Sequence, residues 1–193
     1  NGGSVEIIEV SVATAGEVKV SGDIKNLSTD AAGLIKTITL SGPGTGTGTG
    51  VYIGGALTTG VNDTGNNIDI NGNVFLTGNT TLDTTANNGT IDFSAKIDSA
   101  SGANNALTLT TGAGSISVGD AIGSSVAIGA LKINDNVAGA ATIALNGIGN
   151  SSTPAAGVVG AVDIGHTKTK GIDLSGGYYN IDGAVVFTTA DKA

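Results

Sequence analysis

"NALTLTTGAGSISVGDAIGSSVAIGALKI", residues 105 to 133, begins and ends on the same joint, a small residue followed by an apolar pulse. The joint "NALTL" returns as "GALKI", then downstream as "GAVDI" and "GAVVF", with Leu107, Leu131, Val162 and Val185 as the apolar starts. From one start to the next the numbering advances by 24, 31 and 23, and from Leu82 to Leu107 by 25. The long step contains "NSSTPAAGVVGA", part of which reads as a loop insertion of six, and its removal brings the step to 25. A subrepeat of about 24 residues holding two or three short strands is what one coil of a parallel β-helix requires. About eight such coils, at roughly 4.8 Å per rung, predict a rod about 40 Å long.

The rest of the chain is built the same way. "EVKV", "TITL", "VYI", "IDI", "VFL", "TIDF", "SISV", "TIAL" and "IDL" are short pulses of period-two alternation bounded by Gly, Asn, Asp, Ser or Thr. No apolar residues recur at helical spacing over a useful length, so the fold class is all-β. Among 193 residues there are 33 glycines, 39% hydrophobic residues, only 3% aromatics, and no Cys, Met, Trp or Arg, which leaves Val, Ile, Leu and Ala to make the core. Such small side chains suit many closely stacked short strands. Asparagine pairs at 66–67, 87–88 and 104–105 fall between pulses, where corners need residues tolerant of left-handed backbone angles.

A longer similarity overlies this period. Residues 51 to 77 lie without a gap over 162 to 188 at an offset of 111, Val51, Ile53, Ile70 and Val74 meeting Val162, Ile164, Ile181 and Val185. Upstream, "TITLSGPG" at 37 meets "TIALNGIG" at 142, and "GEVKVSGDI" at 16 resembles "GSISVGDAI" at 114. The chain therefore reads as one elongated solenoid, residues 1–193, made of nearly two copies of a unit: a partial copy over about 1–72, a full copy over 73–183 and the start of another at 184–193. A unit of that size also suits tandem immunoglobulin-like β-sandwiches, the alternative fold, although a subperiod of about 24 residues has no place in a Greek key. "TGTGTG", residues 45 to 50, falls where the other copy has its Ser/Pro/Ala insertion and reads as a turn spacer. A phosphate cradle would need GK[ST] and a following helix.

The stretch "GNTTLDTTANNGTIDFSAKIDSASGANNALTLTTGAGSISVGDAIGSSVAIGALKIND", residues 78 to 135, resembles the β-strand repeats of very large secreted bacterial surface proteins of the filamentous haemagglutinin type. The resemblance is densest from Asn79 to Leu145 and resumes from Val162 to Phe187; residues 1 to 36 carry least of it, and the family's secretion domain and capping repeat are not in the chain. It implies a right-handed β-helical or related solenoid stalk, exported and displayed at the bacterial cell surface. The chain opens "NGGSVEIIEV" without Met, which reads as a mature or excised segment.

Residues that could carry chemistry are few. The formal net charge is −8 and the eight lysines are scattered, which excludes nucleic acid as partner, and no apolar run is long enough for a membrane helix. His166 is the single histidine, in the loop "DIGHTKTK"; without a second histidine, a cysteine or a serine in an elbow motif no hydrolytic triad is expected, and Gly55 at the matching position of the other copy argues against a role for the imidazole shared by the two. Asp63, Asp69, Asp92, Asp98, Asp163 and Asp173 are spread over different strands and turns and read as a solvated face. "DTGNNIDINGN", 63 to 73, lacks the spacing of a calcium loop, and only Asp69 with Asn180 and Asn71 with Asp182 keep ligand-like chemistry between copies. No catalytic, cofactor-binding or metal-ligating residue is assigned, and the chain is expected not to be an enzyme. The expected function is a structural and adhesive segment of a large extracellular bacterial protein, a stiff spacer with an interaction surface. The alternative is a self-assembling filament, sheath or matrix subunit, its partner being the chain itself, end to end or laterally. Surface glycans or other cells are the further expected partners. Ice or polysaccharide binding through Thr-x-Thr arrays ranks third, because "TLTT", "TITL", "TGTGTGTG" and "HTKTK" fall at different points of the subrepeat.

Overall fold

The computed structural model describes residues 7–13, 15–25, 35–43, 49–60, 66–100, 102–137, 139–152 and 157–190. Every strand pairing among them is parallel, and the strands fall into three sheets that the chain visits in turn. Sheet A holds β1 (Ile7–Ser11), β3 (Thr37–Ser41), β6 (Ile68–Asn71), β9 (Ile91–Phe93), β12 (Ile116–Val118), β14 (Thr142–Leu145) and β16 (Gly171–Leu174). Sheet B holds β2 (Glu17–Val20), β4 (Gly50–Ile53), β7 (Val74–Leu76) and β10 (Ile97–Ser99), and continues as single-residue bridges at Ile122, Ile148 and Tyr179. Sheet C starts from a bridge at Ile24 and runs through β5 (Ala56–Thr58), β8 (Thr80–Asp83), β11 (Leu107–Thr110), β13 (Leu131–Ile133), β15 (Val162–Ile164) and β17 (Val185–Phe187). This is a β-solenoid of about six turns. Parallel pairing excludes the immunoglobulin-like alternative, whose sheets are antiparallel.

Coil length follows from the register. Ile8, Ile38, Ile68, Ile91, Ile116, Ile143 and Ile172 are successive partners in sheet A, so the numbering advances by 30, 30, 23, 25, 27 and 29 from rung to rung. The mean step is close to 27 rather than 24, and the described residues make seven rungs rather than eight, spanning about 29 Å along the axis. The joints are real: Leu107, Leu131, Val162 and Val185 stack on one another. Leu82, however, pairs with Leu109, and Thr80 takes the place below Leu107, so that step is 27. The offset of 111 follows a different rule, since Val51 and Val74 stand in sheet B whereas Val162 and Val185 stand in sheet C. It matches stretches of pattern, not places in the rod.

The core is built from apolar columns contributed by all three sheets. Along sheet A, Leu40, Ile70, Phe93, Val118 and Leu145 stack behind the isoleucine column, and along sheet B run Val51, Val74, Ile97, Ile122 and Ile148. Along sheet C run Leu57, Leu82, Leu109, Ile133 and Ile164, and nearly all these residues are fully buried. Full burial of one such side chain contributes about 1.5–3 kcal/mol, so a column repeated on three sides is the main source of stability.

The corners are built from polar residues that repeat coil by coil. Thr84 Oγ1 donates to the Gly89 carbonyl at 2.7 Å, and one coil on Thr111 Oγ1 donates to the Gly114 carbonyl at 2.7 Å. Gly114 is required there, because a Cβ would collide with the Gly89 carbonyl oxygen beneath it. Asn88, Asn104 and Asn134 are the non-glycine residues with positive φ among those described, at 55°, 43° and 50°. Two of the three belong to the asparagine pairs expected at corners. Asparagine also ties rungs together: Asn88 Oδ1 accepts from the Ala113 amide, Asn79 Oδ1 from the Ala106 amide, and Asn105 Nδ2 donates to the Leu76 carbonyl.

Candidate interaction surfaces

The outward residues also stack in columns, and each sheet presents a different chemistry. On sheet A the central column runs Glu9, Thr39, Asp69, Asp92, Ser117, Ala144 and Asp173. Register thus places Asp69 directly beside Asp92, a neighbour relation that sequence spacing did not reveal. Partial burial, with the Asp92 charge added to it, raises the Asp69 carboxyl above its ordinary range. The other acids do not join them. Asp173 is three rungs beyond Asp92, Asp163 sits on sheet C beside Lys132, Asp98 belongs to sheet B, and Asp63 lies outside the described residues. Among the described residues no group of three or more His, Asp or Glu side chains comes close enough to hold a metal ion.

Sheet B carries an aromatic ladder. Tyr52 and Phe75 are in-register neighbours, their ring centroids 4.9 Å apart and planes 24° from parallel, and Lys19 Nζ lies 5.5 Å from the Tyr52 centroid. The centroid separation is close to the rung spacing, so the rings stack along the axis and use their faces on each other and on the lysine. Both faces of Tyr52 and one face of Phe75 are thereby occupied. Glu17 pairs with Lys19, and its hydrogen bond and charge hold the ammonium above the usual lysine range. The column ends at Asp98, which is fully buried under the segment 123–126. Its Oδ1 accepts from the Ser125 and Val126 amides at 2.8 and 3.2 Å, while Oδ2 faces Lys96 Nζ at 3.0 Å and that ammonium donates to Ser125 Oγ at 2.7 Å. Asp98 is therefore a loop anchor, not part of a solvated face.

Sheet C brings together threonines that the sequence spacing kept apart. Ala56, Thr81 and Thr108 form one outward column and Thr58, Asp83 and Thr110 the next, on three adjacent coils. The patch is local. Lys132 and Asp163 continue the first column, "TITL" lies on sheet A, and Thr45 and Thr47 fall outside the described residues, as does most of the proposed spacer. Asp83 is already committed, accepting from the Thr85 amide and hydroxyl at 2.8 and 2.6 Å.

The remaining candidates hold corners. The His166 amide donates to Thr169 Oγ1 at 2.9 Å, and its ring Nδ1 lies 3.1 Å from Thr167 Oγ1, a local turn. Of the calcium-like segment, residues 63–65 are outside the described set, and Asp69 is on sheet A whereas Asn180 donates to the Asn150 carbonyl on another side of the rod. No helix among the described residues is long and apolar enough to cross a membrane. No family model, no curated protein and no solved structure matches this chain.

Proposed function

We propose that this chain is a stiff structural and adhesive segment of a large extracellular bacterial surface protein. The observation that carries the reading is the continuity of inward columns on three sheets over the seven described rungs, which makes bending or opening any one coil cost contacts on three sides. The outward columns of sheets A and C are mostly polar, a composition suited to broad, low-specificity contact with glycans or cells. The test has two parts. Pulled from its ends, a single molecule should lengthen in steps of one coil, about 27 residues or roughly 90 Å each. Immobilised on beads, it should bind glycan-coated surfaces or cells, and Thr81→Lys with Thr108→Lys should weaken that binding without moving the melt. A rod that stretches smoothly at low force, or that binds no surface better than an inert protein, overturns the reading.

A second reading is a self-assembling filament, sheath or matrix subunit. It is favoured by the exposure of inward-column residues in the first and last described rungs, Val10, Leu174, Val185 and Phe187.

A further inference from the structure

The first and last rungs among the described residues expose the same inward columns. Within the rod the sheet A column Leu40, Ile70 and Leu145 is fully buried, but its first member Val10 is 42% exposed and its last, Leu174, 38%. On sheet C, Val162 and Ile164 are fully buried, whereas Val185 and Phe187, which pair with them, are each 45% exposed. β1 and β16 are the edge strands of sheet A and each has one partner among the described strands. What fits such an end is another rung of the same kind. The edges that meet six times among the described residues are the edges of β1 and β16 in the first and last described rungs, so in the filament reading the occupant argued from continuity is a second copy.

The register of sheet A fixes how the copies would meet. Continuing it sets Ile172 against Ile8, Leu174 against Val10 and, on the outward side, Asp173 against Glu9. On the other two faces, Tyr179 meets Val18 and Phe187 meets Ile24. We propose, resting on the filament reading, that copies stack head to tail in this register, and that the Asp173–Glu9 contact holds the junction weak at neutral pH and releases it for assembly in acid. The chain contains a precedent for that contact in Asp69 beside Asp92, where the like charge adds to burial in raising the carboxyl. Other charges near the junction do not cancel it. Lys170 precedes β16, Glu17 and Lys19 pair with each other, and Asp23 pairs with Lys25, these last four standing opposite Tyr178, Asn180, Val186 and Thr188.

The experiment is sedimentation velocity of the full chain over a concentration series at pH 7 and pH 4, with Glu9→Lys, Asp173→Lys, the double variant and Asp120→Lys. Asp120 is exposed and away from the junction, so it controls for net charge. Acid should lower the concentration at which the parent associates. At pH 7 each single junction variant should lower it by about two- to tenfold, and the double variant, again like-charged, should return towards the parent. A double variant that associates more strongly than either single, or an Asp120→Lys equal to Glu9→Lys, reduces the effect to net charge and overturns the register. Association blocked by Phe187→Lys but indifferent to the junction charges also overturns it while sparing the filament reading. No association under any condition removes both.

Discussion

Sheets A and B face the same core yet are made differently. Among the described residues sheet A is seven strands, whereas sheet B is four strands followed by three single-residue bridges. The sequences say why. Sheet A pulses such as "SISV" and "TIAL" alternate, while Ile122 and Ile148 sit in "DAIGS" and "NGIGN". Gly123 and Gly149 turn the chain at φ 69° and 78°, a conformation that ends a strand at once. Beyond each break the chain pairs again, along a short fourth line of Ile128, Val158 and Ile181. The inward column nevertheless passes through the broken stretch intact, with Ile97, Ile122 and Ile148 all fully buried. The solenoid is thus held by which residue points inward, and strand length is secondary.

That conclusion is broken most sharply by paired substitutions. Ile143→Asp in sheet A and Ile148→Asp in sheet B should each forfeit roughly 1.5–3 kcal/mol of burial and add the cost of a buried carboxylate, together about 4 kcal/mol or more. Thermal melts should show the two equally damaged; a mild Ile148→Asp would mean that the ladder of sheet A matters more than the column. Next in size, Asp98→Ala should destabilise by about 3 kcal/mol, because it leaves two loop amides without their acceptor and takes from Lys96 its carboxylate partner. Amide exchange should quicken first around Ser125 and Val126. Gly123→Ala should cost about 2 kcal/mol by denaturant titration, since φ is left-handed and the new Cβ would collide with the Gly157 carbonyl oxygen.

The smallest effect is electrostatic and of opposite sign. Between the unfolded value near 3.8 and its raised folded value, folded Asp69 keeps a proton that the unfolded chain has lost. Stability from this group therefore falls as pH rises through that interval. Asp92→Asn removes the neighbouring charge and should stabilise by about 0.2–1 kcal/mol at pH 7, with no gain below about pH 3.8. Melts of both proteins across pH 3 to 7 would check it.

Much of the rod was legible because its signals are local or strictly stacked. Period-two pulses gave the strands, and the joints at Leu107, Leu131, Val162 and Val185 gave the sheet C register. The coil length was underestimated because corners absorb insertions, and because Leu82 resembles a joint two places out of position. The outward neighbours were not legible at all. Asp69 and Asp92 lie a whole coil apart along the chain, as do Thr81 and Thr108, and the two coils differ in length. Only the register of a particular coil brings each pair together. Nor does any motif announce that Asp98 anchors a loop, since that depends on segment 123–126 folding back over sheet B.

The most direct test uses the absence of cysteine, which lets pairs of spin labels be placed without background. With one label at Glu9 and the second at Ser117, Ala144 or Asp173, all on the outward column of sheet A, the solenoid places the pairs four, five and six rungs apart. Dipolar distances should then be narrow and rise in equal increments, centred at about 19, 24 and 29 Å between backbone positions. Distances that fail to increase in step, or that shorten as the second label moves towards Asp173, would contradict a parallel solenoid in this register.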